Sequence, residues 1–216
     1  GVAWEPVAPS GWLVEDTLSA RISPRLALGC LVQALREQGT EVQEEATDET
    51  GAVVHATGLA GLADLSASLG KTVGSGVKGQ ALALRHSAPD APQLFVDGLH
   101  IVPHGDGTVA VGSTSEATWE SDGPDDRLQP LLERARSALS ALAEAQVVAR
   151  WAGIRPRAAT RAPVLGPWPN RQGHFVANGG FKIGFGMAPK IAEVMADLVL
   201  EGRDTIPEGF RIEALR

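Results

Sequence analysis

The sequence predicts a mixed α/β fold of the α+β kind, and three observations predict it. Capped amphipathic runs mark helices near the start, the middle and the end of the chain. Between Lys78 and Ser113 the pattern is of strands joined by tight turns. Two further stretches, Ala52 to Gly58 and Gly179 to Gly186, combine a strand or helix with small residues that let backbone approach a neighbour closely.

In chain order, Ser23-Pro24 supplies an N-cap and a first-turn proline. Leu26, Leu28, Leu31, Val32 and Leu35 supply an apolar face, and Gly39 a stop, so a helix is expected over 24–38. Residues 41–49 carry Glu41, Glu44, Glu45, Asp48 and Glu49 and are expected as a solvated strand and turn. Ala52 to Gly58 reads as a short buried strand ending in a small-residue turn. Three strands follow at Gln80 to Arg85, Gln93 to Pro103 and Thr108 to Ser113, the last two joined at Gly105-Asp106-Gly107. Pro124-Asp125-Asp126 opens a helix through about Ala141, with Leu128, Leu131, Leu132, Ala135 and Leu139 on one face. Then come a strand at Val147 to Trp151, a proline- and arginine-rich loop from Gly153 to Pro169, and a strand at Phe175 to Ala177. A glycine-rich loop from Gly179 to Gly186 leads into a helix at 189–200 closed by Gly202.

Composition narrows the function classes. The chain has 216 residues, 44% hydrophobic and 21% charged, which suits a packed globular protein. Its net charge of −7 disfavours nucleic acid and anionic membranes as partners. The single cysteine, Cys30, excludes an intrachain disulfide and points to a reducing cytoplasm, and no apolar run reaches the ~18 residues of a spanning helix. Gly1 is not an initiator methionine, and the stretch to Glu15 reads as the middle of a longer chain.

Gly74-Ser-Gly-Val-Lys-Gly79 matches G-x-G-x-x-G by letter, but a β-like segment follows it where a dinucleotide fingerprint needs a helix. A flexible turn entering a strand is the expectation there. The Gly179 to Gly186 loop, before a helix whose start offers free N–H groups, suits an anion or an electron-rich ring edge.

Trp151-Ala-Gly-Ile-Arg-Pro156, Pro163-Val-Leu-Gly166 and the glycine loop ending in Ala188-Pro189 stand in an order and spacing that carry a resemblance. So do Val53 to Gly58, Val77-Lys-Gly-Gln80, His100-Ile-Val-Pro103 and Val111-Gly-Ser-Thr-Ser-Glu116. Together, over residues 20–203, they resemble the FAD-dependent D-amino-acid oxidase, glycine oxidase and sarcosine oxidase superfamily. The resemblance implies an incomplete FAD-binding Rossmann-like domain lacking its first βαβ, interleaved with an antiparallel-sheet substrate domain. It implies residues 1–20 and 75–152 for the substrate domain, 21–74 and 153–203 for the partial FAD-binding domain, and 204–216 as a C-terminal tail.

By the same resemblance Arg155 binds the carboxylate of a small amine or amino-acid substrate, a task suited to a bidentate guanidinium. His100 stands where many relatives have a tyrosine, a residue type absent from this chain. Thr57, Gly58, Gly79, Gln80, Gly153, Gly179, Gly180, Phe181, Lys182, Ile183 and Gly184 are implied as FAD-binding. The chain departs from the family at Ala158 and Thr160, where relatives carry threonine and aspartate, and at Gly180, where they carry histidine. The implied reaction is hydride transfer from Cα to the flavin. The alternative is a non-catalytic remnant that binds a carboxylate ligand, and a homo-oligomer or a missing N-terminal segment would complete either.

Overall fold

The computed structural model describes residues 4–45 and 48–215. Gly1, and residues 46–47 of the expected acidic strand, lie outside the described residues. The chain divides into two compact units. One comprises Gly1–Ala46, Gln80–Thr114 and Gly123–Ala152, and the other Thr47–Gly79, Ser115–Asp122 and Gly153–Arg216. These limits differ from the domains expected from sequence chiefly at residues 21–46, which fall in the first unit, and at the C-terminal stretch, which belongs to the second.

The first unit is built on an antiparallel sheet. Strands β2 (Gly74–Arg85), β3 (Leu94–Val96), β4 (Leu99–Pro103), β5 (Thr108–Gly112) and β6 (Val147–Ala158) take the order β3-β4-β5-β2-β6. Both β2 and β6 are divided between the units, giving residues 80–85 and 147–152 to the first. Leu82, Leu84, Leu99, Ile101, Val109 and Val111 alternate onto one face, where they pack with Leu128, Leu131, Leu132 and Ala135 of α3 (Leu128–Ala138). The expected strand over Gln93 to Pro103 is a hairpin, because Asp97 and Gly98 both adopt positive φ (48° and 74°), as a two-residue turn requires. The helix expected from Pro124 begins only at Leu128. Helix α1 (Pro24–Glu37) forms as the caps predict, yet none of its residues is buried, and Leu26, Leu28, Leu31 and Leu35 of its apolar face are exposed.

The second unit is a three-layer α/β arrangement. Strands β1 (Val53–His55), β8 (His174–Asn178) and β7 (Val164–Pro167) form a sheet in the order β1-β8-β7, with β1 and β8 parallel and β7 and β8 antiparallel. The sequence motifs on Val53 to Gly58 and Phe175 to Ala177 are therefore adjacent strands. On one face Val164, Trp168 and Val176 meet Leu62 and Leu65 of α2 (Gly58–Leu69). On the other, Leu165, Phe175 and Ala177 meet Val194 and Met195 of α4 (Gly184–Glu201). Ile206, Ile212 and Leu215 close the two cores, so the C-terminal stretch is packed.

Four expectations are corrected here. The described part of 41–49 contains no strand. Gly74 to Gly79 is the first half of strand β2 and not a turn. The proline- and arginine-rich loop is largely strand: β6 runs through Gly153 and Pro156, which its place at the end of the sheet order permits. Helix α4 starts at Gly184, leaving Pro189 inside it.

Candidate functional site

Arg155 lies in β6, and the part of β2 in the same unit is unusually rich in glycine. A side chain on Gly76 would collide with Ile154 Cγ2 (2.6 Å) and Trp119 Cη2 (2.8 Å), and one on Gly74 with the Arg157 carbonyl (2.7 Å). At Gly79 the space a side chain would need is filled by the guanidinium of Arg155. Glycine on β2 is thus a packing requirement of this strand pair, and the fingerprint-like spacing stands in a strand, without the strand-to-helix turn of a dinucleotide fingerprint.

Burial pushes the Arg155 guanidinium below its ordinary pKa, and the charge of Glu116 opposes that shift. Glu116 is held next to β2 by paired backbone hydrogen bonds with Lys78, each 2.9 Å. Lys78 is fully buried, and its Nζ donates to the Ser121 carbonyl at 2.7 Å. A guanidinium in such a half-buried place is a group suited by its chemistry to anions.

The glycine loop reaches the same strand. Phe181 N–H donates to the Pro156 carbonyl at 3.1 Å, and Arg157 bridges to Gly180. Gly179 has φ of 77° and donates its N–H to Asn178 Oδ1, 2.7 Å, while Asn178 Nδ2 donates to the Gly58 carbonyl, 2.8 Å. One buried asparagine therefore ties the loop to the Thr57-Gly58 turn. Thr57 occupies the N-cap of α2, its hydroxyl lying against Gly61, where any larger residue would collide. Gly153, two residues before Arg155, is exposed with open space beside it, and Gly184 at the start of α4 is partly buried with open space beside its backbone. The Phe181 ring carries Arg157 and Lys182 as cationic neighbours at 5.9 and 5.6 Å.

The structure thus brings Thr57, Gly58, Gly79, Gly153, Arg155 and Gly179 to Gly184 together in one unit. Gln80 and His100 belong to the other. Gln80 is fully buried there: its Nε2 donates to Asp125 Oδ1 (2.7 Å) and its Oε1 accepts from Asp125 N–H (2.8 Å). His100 is exposed on β4, its ring 4.8 Å from that of Phe95. Sequence reasoning missed Glu116 and Asp125 as partners of site residues; Glu116 was within reach, since it ends a motif already recognised.

The loop fits a flavin ring: open space flanks the backbone at Gly184 and Gly153, Ile183 and Phe185 offer half-exposed apolar surface, and free N–H groups begin α4. Comparison decides the family, because the model of the DAO family, FAD dependent oxidoreductase, matches residues 23–198. The chain belongs to the DAO family of FAD-dependent oxidoreductases.

Within the DAO family the chain is similar to glycine oxidases. That of Geobacillus kaustophilus is 31% identical over 176 residues, covering 74% of this chain and 47% of the relative. That of Pseudomonas aeruginosa is 34% identical over 132 residues, covering 60% of this chain and 36% of the relative. The crystal structure of glycine oxidase from G. kaustophilus matches with a TM-score of 0.66 at 29% identity, over 80% of this chain and 51% of that one. The chain spans about half the length of these relatives, or less. The mixed α/β fold with two sheets is thus that of the DAO family.

Proposed function

We propose that this chain forms the substrate-side and flavin-ring-side portion of an oxidase that acts on a small amino acid or secondary amine, of which glycine is the simplest. Arg155, seated over the bare backbone of Gly79 and standing in the Trp151 to Pro156 motif whose resemblance implies a carboxylate-binding arginine, carries that reading. Similarity to glycine oxidases supports the substrate class.

In this reading the Thr57-Gly58 turn, Gly153 and the loop from Gly179 to Gly184 hold the isoalloxazine ring of FAD, which when bound supplies the hydride acceptor. Arg155 clamps the substrate carboxylate through two parallel N–H donors, fixing the Cα–H direction. Glu116 limits the excess positive charge that the clamp presents. The N–H groups at the start of α4 would favour negative charge on a flavin bound beside them. No side-chain base is needed when the amine arrives neutral. Gln80 is a structural residue in this scheme, its amide paired with Asp125 within the first unit. A reducing cytoplasm suits the exposed thiol of Cys30. The adenosine half of FAD is held by a segment outside this chain, which the greater length of the relatives supports.

Flavin bleaching in the complete, flavin-loaded protein tests the reading. Glycine, sarcosine or a small D-amino acid should bleach it anaerobically, and the corresponding amines without a carboxylate should not. Equal bleaching by ethylamine and glycine would overturn it.

A further inference from the structure

Two histidines, distant in sequence, converge at the β1–β8 strand pair, away from Arg155 in the chain and unused by the proposed reaction. His55 ends β1, His174 begins β8, and the parallel register that pairs Val53 with His174 sets the two rings diagonally on one face. Their rings stack with centroids 5.3 Å apart, and His55 Nε2 lies 3.0 Å from His174 Nδ1. One proton must be shared across that contact, since two protonated nitrogens would repel there. The carboxylate of Glu49 completes the group: one ligand atom from each of Glu49, His55 and His174 lies within 4.8 Å of the others.

We infer that Glu49, His55 and His174 form a binding site for a divalent transition-metal ion of the zinc type, the cation taking the place of the proton between the two imidazoles. Two imidazoles and one carboxylate are a ligand set zinc uses, with the fourth position left for water. Ligands at about 2.1 Å from a tetrahedral ion stand roughly 3.4 Å apart, so the histidines need only open slightly from 3.0 Å. Glu49 has further to come, and it is currently paired with Arg171. That ion pair is exposed on both sides and is worth little, so exchanging it for a dication is a favourable trade.

Neighbouring groups support the site. The Trp168 ring lies 4.8 Å from His55 and walls one side, and its Nε1 donates to Ser68 Oγ at 3.2 Å. Burial, followed by the charge of Arg171, pushes the His55 imidazole below its usual pKa; Glu49 and Asp64 oppose this. The neutral ring is the form that ligates. A bound ion would staple the segment carrying Glu49 to the sheet.

The test is titration of the Cys30→Ser chain with zinc sulfate by calorimetry and with cobalt(II) chloride by visible absorption. One equivalent should bind, with intense four-coordinate cobalt bands and a rise in Tm. His55→Gln and His174→Gln should each weaken binding by at least about a hundredfold, and Glu49→Gln by about tenfold. His86→Gln, His100→Gln and His104→Gln should leave it unchanged. Arg171→Gln, which frees Glu49, should tighten binding, and this decides the matter should the histidine variants fail to fold. No saturation at one equivalent would overturn the inference. So would binding that survives His55→Gln or His174→Gln, or an unchanged affinity in Arg171→Gln.

Discussion

The guanidinium of Arg155 fills the space that a side chain on Gly79 would need. A backbone position on β2 and a cation on β6 are therefore one structural element. Gly79→Ala must push the guanidinium aside, since strand backbone yields less readily than the end of a long side chain. In the complete, flavin-loaded enzyme this substitution should lower kcat/KM for a carboxylate-bearing amine by about tenfold, some 1.4 kcal/mol, mostly through KM. Steady-state kinetics with flavin content measured alongside checks this; unchanged kinetics would mean that the position of the guanidinium is immaterial.

Removal of the cation itself is the sharper case. Arg155→Ala should cost at least about tenfold in kcat/KM, in line with ~1.5–3 kcal/mol for a hydrogen bond to a charged group. Arg155→Lys should restore only part, because an ammonium cannot reproduce the two-donor fork. Flavin occupancy should stay at the wild-type level in both. The measurement is the split between KM and flavin absorbance, and loss of flavin with an unaltered KM would reassign Arg155 to the cofactor.

Gln80 and Asp125 form a closed pair of hydrogen bonds in the first unit. Asp125→Ala removes an acceptor from a fully buried amide, which should destabilise by ~1–3 kcal/mol. Urea unfolding should show a lower midpoint with an unchanged m-value. Gln80→Leu, which removes the polar group as well as its bond, should cost less at the Asp125 side chain than Asp125→Ala costs at the amide.

The pairing of Asp204 with Arg211 makes a pH prediction. Two guanidinium hydrogen bonds, 2.6 and 2.9 Å, reach the Asp204 carboxylate. First by those bonds and then by the Ile206 N–H, its pKa is held below the ordinary value of 3.8. A carboxylate depressed in the folded state contributes stability that is present above its unfolded pKa and is lost as pH falls through the folded one. Hence Arg211→Ala should lower Tm at neutral pH, and the difference from wild type should shrink below pH 3.8. Paired thermal melts across that range check it; a constant difference would assign the effect to packing.

How much of this was legible in sequence depends on what kind of signal each element left. Helix α1 was legible because Ser23, Pro24 and Gly39 mark its ends, whatever becomes of its apolar face. Asp97-Gly98 is a strong hairpin signal that was read through, because apolar residues flank it closely on both sides. The long course of β6 was hidden: glycine, proline and arginine read as loop, and only pairing in the sheet reveals a strand. At the site, Arg155 and the glycine loop were recognisable from motif spacing, but their connection through Asn178 and Pro156 depends on tertiary contacts. His55 and His174 left no signal at all, because 119 residues separate ligands that only strand register brings together.

The sole G-x-G-x-x-G of the 216-residue chain, Gly74 to Gly79, bears on cofactor affinity. A pyrophosphate cradle requires N–H groups free at a turn that enters a helix, whereas these glycines are strand residues packed against Ile154, Arg157 and Arg155. On the proposed reading, what this polypeptide offers a flavin is the ring-side surface. Riboflavin and FAD should therefore bind it with affinities within about tenfold of each other, a difference below ~1.4 kcal/mol. A working pyrophosphate site would separate the two ligands far more widely. Equilibrium dialysis of both against the purified chain measures this directly, and the protein should leave gel filtration colourless. Stoichiometric flavin absorbance in the eluted protein, or an FAD affinity a hundredfold above that of riboflavin, would place a phosphate-binding element within these residues and return Gly74 to Gly79 to consideration.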